Sequence, residues 1–211
     1  SMFLEQAVLQ CVDLSKPLNV LDLCAAPGGK STHLLSLLSR ESLLVSNEVI
    51  RGRVPALVEN IEKWGNENVI ITQNDPADFK SLPDFFDLIV VDAPCSGEGL
   101  FRKEPEAMEE WSVKGVELCS LRQKRILTDI VGSLKPGGVL LYSTCTYSEK
   151  ENEDNMLWLG SQAGLEPFSI SIKEEWNFQK LGGGYQLFPH RVKGEGFFLA
   201  AMRKTGTRST S

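Results

Sequence analysis

The feature that most constrains this chain is residues 22–31, with the sequence Asp-Leu-Cys-Ala-Ala-Pro-Gly-Gly-Lys-Ser. An apolar strand pattern leads into a turn of small residues, and a helical pattern resumes at Ser31. Small residues let the backbone of such a turn approach a ligand closely, because no Cβ atoms block the way. The N-terminus of the next helix presents unpaired N–H groups, which suit a carboxylate or a phosphate. The sequence therefore predicts a ligand-binding loop here.

Three interpretations of this loop are open at this point. Residues 24–31 match the phosphate-binding pattern G-x-x-x-x-G-K-[ST] except at the first position, where Cys24 replaces glycine. The dinucleotide fingerprint G-x-G-x-x-G is absent, since the loop has only the adjacent pair Gly28 and Gly29. A purely structural turn would need neither the two glycines nor the small residues before them.

Apolar runs alternate with helical patterns along the chain, which is typical of a mostly parallel, doubly wound α/β sheet. The predicted strands cover residues 19–23, 43–46, 69–72, 87–92 and 139–143, with a turn at 135–138. The first three predicted helices cover residues 2–12, 31–38 and 51–64. A loop at 99–112 leads to a fourth helix that ends near residue 134. Ser148 and Glu151 predict a capping box for one more helix. Strands at 185–188 and 197–202 form a C-terminal antiparallel pair. We expect one domain over residues 1–204 and a flexible tail over 205–211.

Polar side chains follow each predicted parallel strand. Glu48 follows the second strand, Asp75 the third, Asp92 and Cys95 the fourth, and Cys145 the fifth. Ligands of open parallel sheets bind at the carboxyl ends of the strands, near the switch in strand order. A carboxylate that ends the second strand can accept the two hydroxyl groups of a ribose.

These acidic residues discriminate among the candidate ligands. A nucleotidase would need the missing glycine and a magnesium-binding acid close to Lys30, and a dehydrogenase would need the three-glycine fingerprint. The glycine loop, Glu48 and the pair Asn74-Asp75 fit S-adenosylmethionine instead. Its adenosine would lie over the second and third strands, and its methionine end over the loop.

Two of the five cysteines indicate the chemistry. If the fourth and fifth strands are neighbours, about 4.8 Å apart, Cys95 and Cys145 can face the same small substrate. Cys11 and Cys119 lie on helical faces and are interpreted as packing residues, as is Cys24 in the loop. A thiolate that adds to carbon 6 of cytosine activates carbon 5 to accept a methyl group, which is covalent catalysis. A second cysteine can assist the release of the product.

With both cysteines in place, the chain closely resembles the RNA cytosine-5 methyltransferases of the NOL1/NOP2/Sun family. The matching motifs are residues 22–31, 47–48, 74–75, 92–97 and 143–147. The tail, with Phe188-Pro189-His190 followed by residues 194–198, is most similar to the F type of the bacterial ribosomal RNA methylases in that family.

The resemblance implies a Rossmann-like class I S-adenosylmethionine-dependent methyltransferase fold and a role for each motif. Cys145 would be the nucleophile and Cys95 would assist product release, whereas in the DNA enzymes the cysteine of the Pro-Cys motif is the nucleophile. Lys30 and Asp92 would also contact the target cytosine. The residues that would bind S-adenosylmethionine are Cys24, Ala25, Ala26, Pro27, Gly28, Gly29, Lys30, Glu48, Asp75 and Asp92.

Charge limits how this chain can bind RNA. The formal net charge is −6, so the whole chain is not an electrostatic binder of nucleic acid. A local basic patch or a missing segment must supply the phosphate contacts, and we expect a catalytic-core fragment whose RNA-recognition segment lies elsewhere. The candidate patches are Arg51 with Arg53, Arg102 with Lys103, residues 122–125, and Arg203, Lys204 and Arg208, each of which is more simply interpreted as a solvated face.

Composition and the terminus limit the cellular context. Five widely spaced cysteines without a C-x-x-C pair, together with only two histidines, argue against a disulfide framework and against a metal site. No secretion signal or membrane span of about 20 apolar residues is visible, so we expect a cytoplasmic monomer. The expected partner is ribosomal RNA or a ribosomal subunit. Two alternatives concern the substrate, which could be transfer RNA or, with less support, DNA. Two others concern the class of protein, a non-catalytic RNA-binding assembly factor or a nucleotide-binding P-loop protein.

Overall fold

The computed structural model describes residues 2–101, 108–109, 111–162, 164–190 and 195–206. Strands and helices alternate along the first two thirds of the chain, and short strands dominate the rest. Their bounds are α1 Met2–Cys11, β1 Asn19–Asp22, α2 Gly29–Leu37, β2 Leu43–Asn47, α3 Val54–Trp64, β3 Val69–Thr72, β4 Phe86–Asp92, α4 Val113–Ile130, β5 Leu134–Thr144, α5 Glu153–Gln162, β6 Leu165–Pro167, β7 Gln179–Leu181, β8 Gly184–Leu187 and β9 Phe197–Lys204.

One mixed sheet organises the described residues, with the strand order β3-β2-β1-β4-β5-β9-β8-β7 and β6 paired to β9. Strands β1 to β5 are parallel, and β6 to β9 are antiparallel. The predicted fold class is confirmed. Because β1 pairs with β2 on one side and β4 on the other, the strand order reverses between β1 and β4. A ligand crevice is expected at the carboxyl ends of these two strands.

The parallel strands are apolar because helices cover both faces of the sheet. Successive residues of a strand point to opposite faces, so Leu88 and Val90 pack on the side of α1, α2 and α3. Ile89 and Val91 pack on the opposite side, against α4 and α5. The register aligns Asp92 with Ser143, which confirms that the fourth and fifth predicted strands are neighbours.

Helix ends and strand ends agree with the sequence at most positions. Gly65 ends α3 with φ +80, which is the left-handed conformation that favours glycine at this position. A short 3₁₀ turn, Arg51–Arg53, precedes α3 within the predicted helix. The helix predicted to end near residue 134 ends at Ile130 and continues as a 3₁₀ turn, Val131–Ser133.

Three details of the prediction are wrong. Residues 135–138 are not a turn before the strand, because Leu134 already pairs with Phe86 and these residues bulge out before Val139 pairs with Leu88. The antiparallel part has four strands rather than two, since β6 and β7 have only three residues each and show no readable period. The last predicted helix begins at Glu153, so the residues proposed as its capping box precede it.

Parts of the prediction fall outside the described residues. Half of the loop predicted at 99–112, residues 102–107 and 110, is among them, and so are residues 207–211 of the predicted tail. The backbone N–H of Thr205 donates to the carbonyl oxygen of Gly164 at 2.9 Å. The domain boundary at residue 204 stays a prediction.

A search of the described helices found none with the length and apolar character needed to cross a membrane.

Candidate active site

The predicted ligand loop lies between β1 and α2, at the crevice where the strand order reverses. The backbone N–H of Leu23 donates to Val90 of β4, and that of Ala25 donates to Asn47 of β2. Gly28 precedes α2 with φ +111, a conformation that L side chains rarely adopt. The loop is therefore fixed to the strands on both sides of β1, and its second half depends on glycine.

Helix α3 and the 3₁₀ turn that precedes it contact the outer side of this loop. Nη2 of Arg53 donates to the carbonyl oxygen of Ala26 at 2.6 Å, and Nδ2 of Asn60 donates to that of Pro27 at 2.7 Å. A Cβ atom on Gly28 would lie 3.2 Å from Cδ1 of Leu57. These contacts direct the two loop carbonyl groups toward α3, away from the crevice.

The carboxyl groups of Asp22 and Glu48 are buried next to the loop. Oδ2 of Asp22 accepts a hydrogen bond of 2.7 Å from Oγ of Ser31, while its Oδ1 has no hydrogen-bond partner, and burial raises the pKa of Asp22 to about 6. Oε1 of Glu48 accepts from the N–H of Ile50 at 2.8 Å. Oε2 of Glu48 makes no hydrogen bond and lies 3.3 Å from Nη1 of Arg53. Glu48 therefore has acceptor capacity to spare at the end of β2.

Asp75 lies at the end of β3, where the sequence predicts it, but its side chain is already engaged. Its Oδ1 accepts from the N–H of Ala77 at 3.0 Å and caps the 3₁₀ turn Pro76–Ser81. The same oxygen pairs with Arg125 of α4, and this guanidinium lowers the pKa of Asp75. Asp75 thus has a structural role at this position, and its role in cofactor binding stays a prediction.

Lys30 and Asp92 join the cofactor loop to the end of β4. Nζ of Lys30 lies 2.5 Å from Oδ2 of Asp92, and Oγ of Ser143 donates to Oδ1 of Asp92 at 2.7 Å. Both charged side chains are about one-third exposed, so the pair borders the crevice. Its position is between the predicted cofactor loop and the cysteines.

Cys95 and Cys145 meet at the carboxyl ends of β4 and β5. Their Sγ atoms lie 3.0 Å apart as free thiols, and the N–H of Cys145 donates to Sγ of Cys95 at 3.3 Å. The hydrogen bond from the Cys95 thiol lowers the pKa of Cys145. The same contact, together with burial, raises the pKa of Cys95. The contact therefore favours Cys95 as the thiol donor and increases the thiolate character of Cys145.

The other three cysteines lack this activation. Burial raises the pKa of Cys11 to about 12 and raises the pKa values of Cys24 and Cys119. Cys145 is thus the one cysteine of the five with a pKa lowered from its ordinary value. Thiolate character makes a cysteine a nucleophile, so this contrast separates Cys145 from the packing cysteines.

Sequence reasoning missed a buried polar network beneath the cysteines. The network contains Gln123 of α4 and the consecutive residues Glu151 and Asn152, which are fully buried. Glu151 had been interpreted as half of a capping box, but its Oε2 accepts from the N–H of Ser96 at 3.1 Å. The available signal was the polar sequence Glu-Asn-Glu at 151–153, directly after the cysteine motif.

Glu98 is a second carboxyl group that the sequence analysis did not single out. Its Oε2 accepts from Oγ1 of Thr146 and from the N–H of Tyr147, each at 3.1 Å. The N–H of Gly99 donates to the carbonyl oxygen of Cys145 at 2.7 Å. The 3₁₀ turn Glu98–Leu100 therefore binds the backbone on both sides of Thr146.

The candidate RNA-binding patches are largely engaged within the protein. Arg53 and Arg125 contact the carboxylates described above, and Lys204 donates to the carbonyl oxygen of Leu134 at 2.6 Å. The guanidinium of Arg203 lies over the ring of Phe168. Residues 102, 103 and 208 lie outside the described part of the chain. These contacts favour the structural interpretation of the basic residues.

Within the described residues, no group of three or more His, Cys, Asp or Glu side chains is arranged to hold a metal ion.

Comparison with known families and relatives identifies one family. The family described as 16S rRNA methyltransferase RsmB/F matches residues 9–203. Ribosomal RNA small subunit methyltransferase F of Pectobacterium atrosepticum is 38% identical over 196 residues, which cover 90% of this chain and 40% of the relative. The Vibrio cholerae protein of the same name is 37% identical, over 91% of this chain and 42% of its own length. The chain thus spans about two fifths of the length of these relatives.

A solved structure shows the same arrangement of strands and helices. NSun6 from Pyrococcus horikoshii, solved with SFG, matches with a TM-score of 0.81 and 32% sequence identity. The match covers 92% of this chain and 50% of the other. SFG is an analogue of S-adenosylmethionine.

Proposed function

Because the chain belongs to the 16S rRNA methyltransferase RsmB/F family, we propose that it transfers a methyl group from S-adenosylmethionine to carbon 5 of a cytosine in RNA. Ribosomal RNA, free or within a ribosomal subunit, is the proposed substrate. The single observation that carries the cytosine-5 chemistry is the contact of 3.0 Å between the Cys145 and Cys95 sulfurs, in which Cys145 has the lowered pKa.

The residues of the crevice fit S-adenosylmethionine. Glu48 has a buried oxygen without a hydrogen bond, as a group awaiting a ribose hydroxyl would have. A Cβ atom on the exposed Gly29 would meet nothing within 4 Å, so the loop leaves open space for a ligand. Residues 24–30, Glu48, Asp75 and Asp92 would hold the cofactor. When bound, the cofactor supplies an electrophilic methyl group attached to a sulfonium sulfur.

The two cysteines then divide the protein's part of the reaction. The Cys145 thiolate attacks carbon 6 of cytosine and forms a carbon–sulfur bond, which raises the electron density on carbon 5 for methylation. After methylation, a base takes the proton from carbon 5, the carbon 5–carbon 6 double bond forms again, and the Cys145 sulfur leaves with the bonding pair as a thiolate. Cys95, protonated next to that sulfur, assists this release by stabilising the departing thiolate. Lys30 and Asp92, at the edge of the crevice, would contact the cytosine.

Trapping the covalent intermediate tests this assignment. Cys95→Ala and Cys145→Ala variants are each incubated with small-subunit ribosomal RNA and S-adenosylmethionine, and the products are separated on a denaturing gel. We expect a protein–RNA adduct to accumulate with Cys95→Ala, because release is slowed, and to be absent with Cys145→Ala. Parallel reactions with transfer RNA and DNA as competitors identify the substrate class.

Other outcomes assign other functions. An adduct that depends on Cys95 instead of Cys145 would indicate the mechanism of the DNA enzymes. No adduct from either variant, with cofactor binding intact, would favour a non-catalytic RNA-binding assembly factor. Stabilisation by ATP rather than by S-adenosylmethionine in a thermal-shift assay would favour a P-loop protein. A monomeric state and a cytoplasmic location stay predictions.

A further inference from the structure

The residues on both sides of Cys145 are bonded to one buried side chain, that of Asn152. Oγ1 of Thr144 and Oδ1 of Asn152 are 2.7 Å apart, in a hydrogen bond donated by the hydroxyl. Nδ2 of Asn152 donates to the carbonyl oxygen of Thr146 at 3.0 Å and contacts Oε1 of Gln186 at 3.3 Å. Asn152 is thus bonded to the side chain before the proposed nucleophile and to the backbone after it.

The residues on both sides of Cys95 are bonded in the same way to a buried pair, Gln123 and Glu151. Nε2 of Gln123 donates to the carbonyl oxygen of Pro94 at 2.9 Å and to Oε2 of Glu151 at 2.8 Å. That same carboxylate oxygen accepts from the N–H of Ser96 at 3.1 Å. The pair therefore fixes the backbone before and after Cys95.

Two of these three supporting residues, Glu151 and Asn152, are adjacent in the turn before α5, and the third, Gln123, lies on α4. Glu151 and Asn152 are fully buried, so neither side chain is available to a nucleotide. The two cysteine loops also contact each other directly, since Oγ of Ser96 lies 2.9 Å from Oγ1 of Thr146. Both cysteine loops are thus supported from below by residues 151–152 together with Gln123.

We infer that Glu151 and Asn152 are positioning residues for the thiol pair. Asn152 positions Cys145, whereas Glu151, acting through Gln123, positions Cys95. The effects on adduct formation and release rest on the proposed function. The effect of these residues on the positions of the two sulfurs does not. Displacing Cys95 removes the hydrogen bond that favours the Cys145 thiolate. Displacing Cys145 takes the nucleophile out of the crevice. The two halves of the network therefore serve different steps of the reaction.

The first arm of the test measures thiol chemistry without RNA or cofactor. The rate of Cys145 alkylation by iodoacetamide is followed against pH by peptide mass spectrometry in Gln123→Met and Asn152→Leu, which keep a similar side-chain shape without the polar groups. In both variants we expect the pH profile of Cys145 to move upward by about one unit, so that alkylation at pH 7 is about tenfold slower. Thr144→Val, which removes only the hydroxyl bonded to Asn152, replaces Asn152→Leu if that variant does not fold.

The second arm measures the covalent adduct with small-subunit ribosomal RNA and S-adenosylmethionine. Gln123→Met should accumulate the adduct as Cys95→Ala does, because Cys95 is no longer held for release. Asn152→Leu or Thr144→Val should form at least about tenfold less adduct, because the nucleophile is displaced. A residue with a general structural role would lower both formation and release without this division.

Ser120→Ala is the matched control. The Ser120 hydroxyl is in the same buried network, at 3.2 Å from Oδ1 of Asn155 and 2.9 Å from the carbonyl oxygen of Lys150, but contacts neither cysteine loop. It should keep the wild-type alkylation profile. The inference is overturned if the network variants keep that profile, or if Ser120→Ala moves it as far as they do. Absence of adduct from both cysteine variants would refute the proposed function, and the alkylation arm would still decide this inference.

Discussion

The cofactor loop and the two cysteine loops lie at the same edge of the sheet, but they are held in different ways. The predicted cofactor loop presents two carbonyl groups to Arg53, in the turn before α3, and to Asn60 of α3. The cysteine loops are bonded from beneath by Gln123, Glu151 and Asn152, which water does not reach. The proposed cofactor loop is thus held from its outer side, whereas the loops that carry the sulfurs are held from the interior.

The two regions nevertheless share one feature, a buried carboxyl group with one unpartnered oxygen. This carboxyl group is Asp22 beneath the predicted cofactor loop and Glu151 beneath the cysteines. Burial raises the pKa of each. Burying a carboxylate without full hydrogen bonding is costly, so both regions give up stability to fix a loop. The following predictions test how far the two regions act separately.

Lys30→Met should have the largest effect, because Lys30 joins the two regions through Asp92. Loss of this cation leaves the Asp92 carboxylate unpaired near Cys145, where its negative charge raises the pKa of that thiol. We expect methyl transfer at saturating cofactor to fall about 100-fold. The measurement is the single-turnover rate of methylation of ribosomal RNA against pH.

A matched control for this variant is Lys135→Met. Lys135 pairs with Asp87 at 2.7 Å and is exposed to a similar degree, but the pair lies at the opposite end of β4 and β5. This variant should keep its methylation rate. Equal loss of activity in both variants would show that any partly buried ion pair of the sheet matters equally, which contradicts a special role for Lys30.

Asp22→Asn should change how stability depends on pH. The pKa of Asp22 is raised to about 6 in the folded protein, above the value near 3.8 of an ordinary aspartate, so the folded state binds the proton more tightly. The contribution of this group to folding is favourable at low pH and is lost as pH rises through 6, by about 2 kcal/mol between pH 4 and pH 7.

Urea unfolding of wild type and Asp22→Asn at several pH values measures this difference. The free energy of unfolding of the variant should not show this decrease with rising pH. Compared with wild type, the variant should therefore be more favoured at pH 7 than at pH 4. If the difference in the free energy of unfolding between the two proteins did not vary with pH, Asp22 would not titrate in this range. Asp22 and Glu151 would then not be equivalent buried carboxyl groups.

Gly28→Ala should have the smallest effect of the three and should act on the cofactor loop alone. A Cβ at φ +111 is strained and would lie 3.3 Å from Cβ of Asn60, so we expect the free energy of unfolding to fall by about 1–2 kcal/mol. Gly29→Ala is the control, since it begins α2 with no atom within 4 Å of the added Cβ, and alanine favours a helix. Thermal unfolding without cofactor compares them, and equal stability of the two variants would contradict the strain argument.

The sequence predicted the parts of the site that are local. A strand, a run of small residues and a helix follow one another within residues 19–37, and parallel pairing then brings the other strand ends to the same edge. Cys95 and Cys145 could be paired for this reason, although they are far apart in the chain. The register of Asp92 with Ser143 fulfils that expectation.

The supporting contacts could not be predicted because they join residues that no local pattern relates. Glu151 follows Ser148 at the spacing of a capping box, and nothing near it indicates that Ser96 and Gln123 are its partners. Arg53 and Arg125 belonged to apparent basic patches, yet each contacts a carboxylate of the site. A sequence shows which side chains are charged, but only packing shows which of them remain free.

The position of β9 has a consequence for the order in which the protein is completed during synthesis. Among the described strands of this sheet β9 comes last in the sequence, yet it lies between β5 and β8 and pairs with β5 from Val139 to Thr144. Until residues 197–204 leave the ribosome, β5 is an unpaired sheet edge directly next to Cys145. Domains generally fold as units once their chain is available. The sheet next to Cys145 is therefore completed only after residues 197–204 have been made.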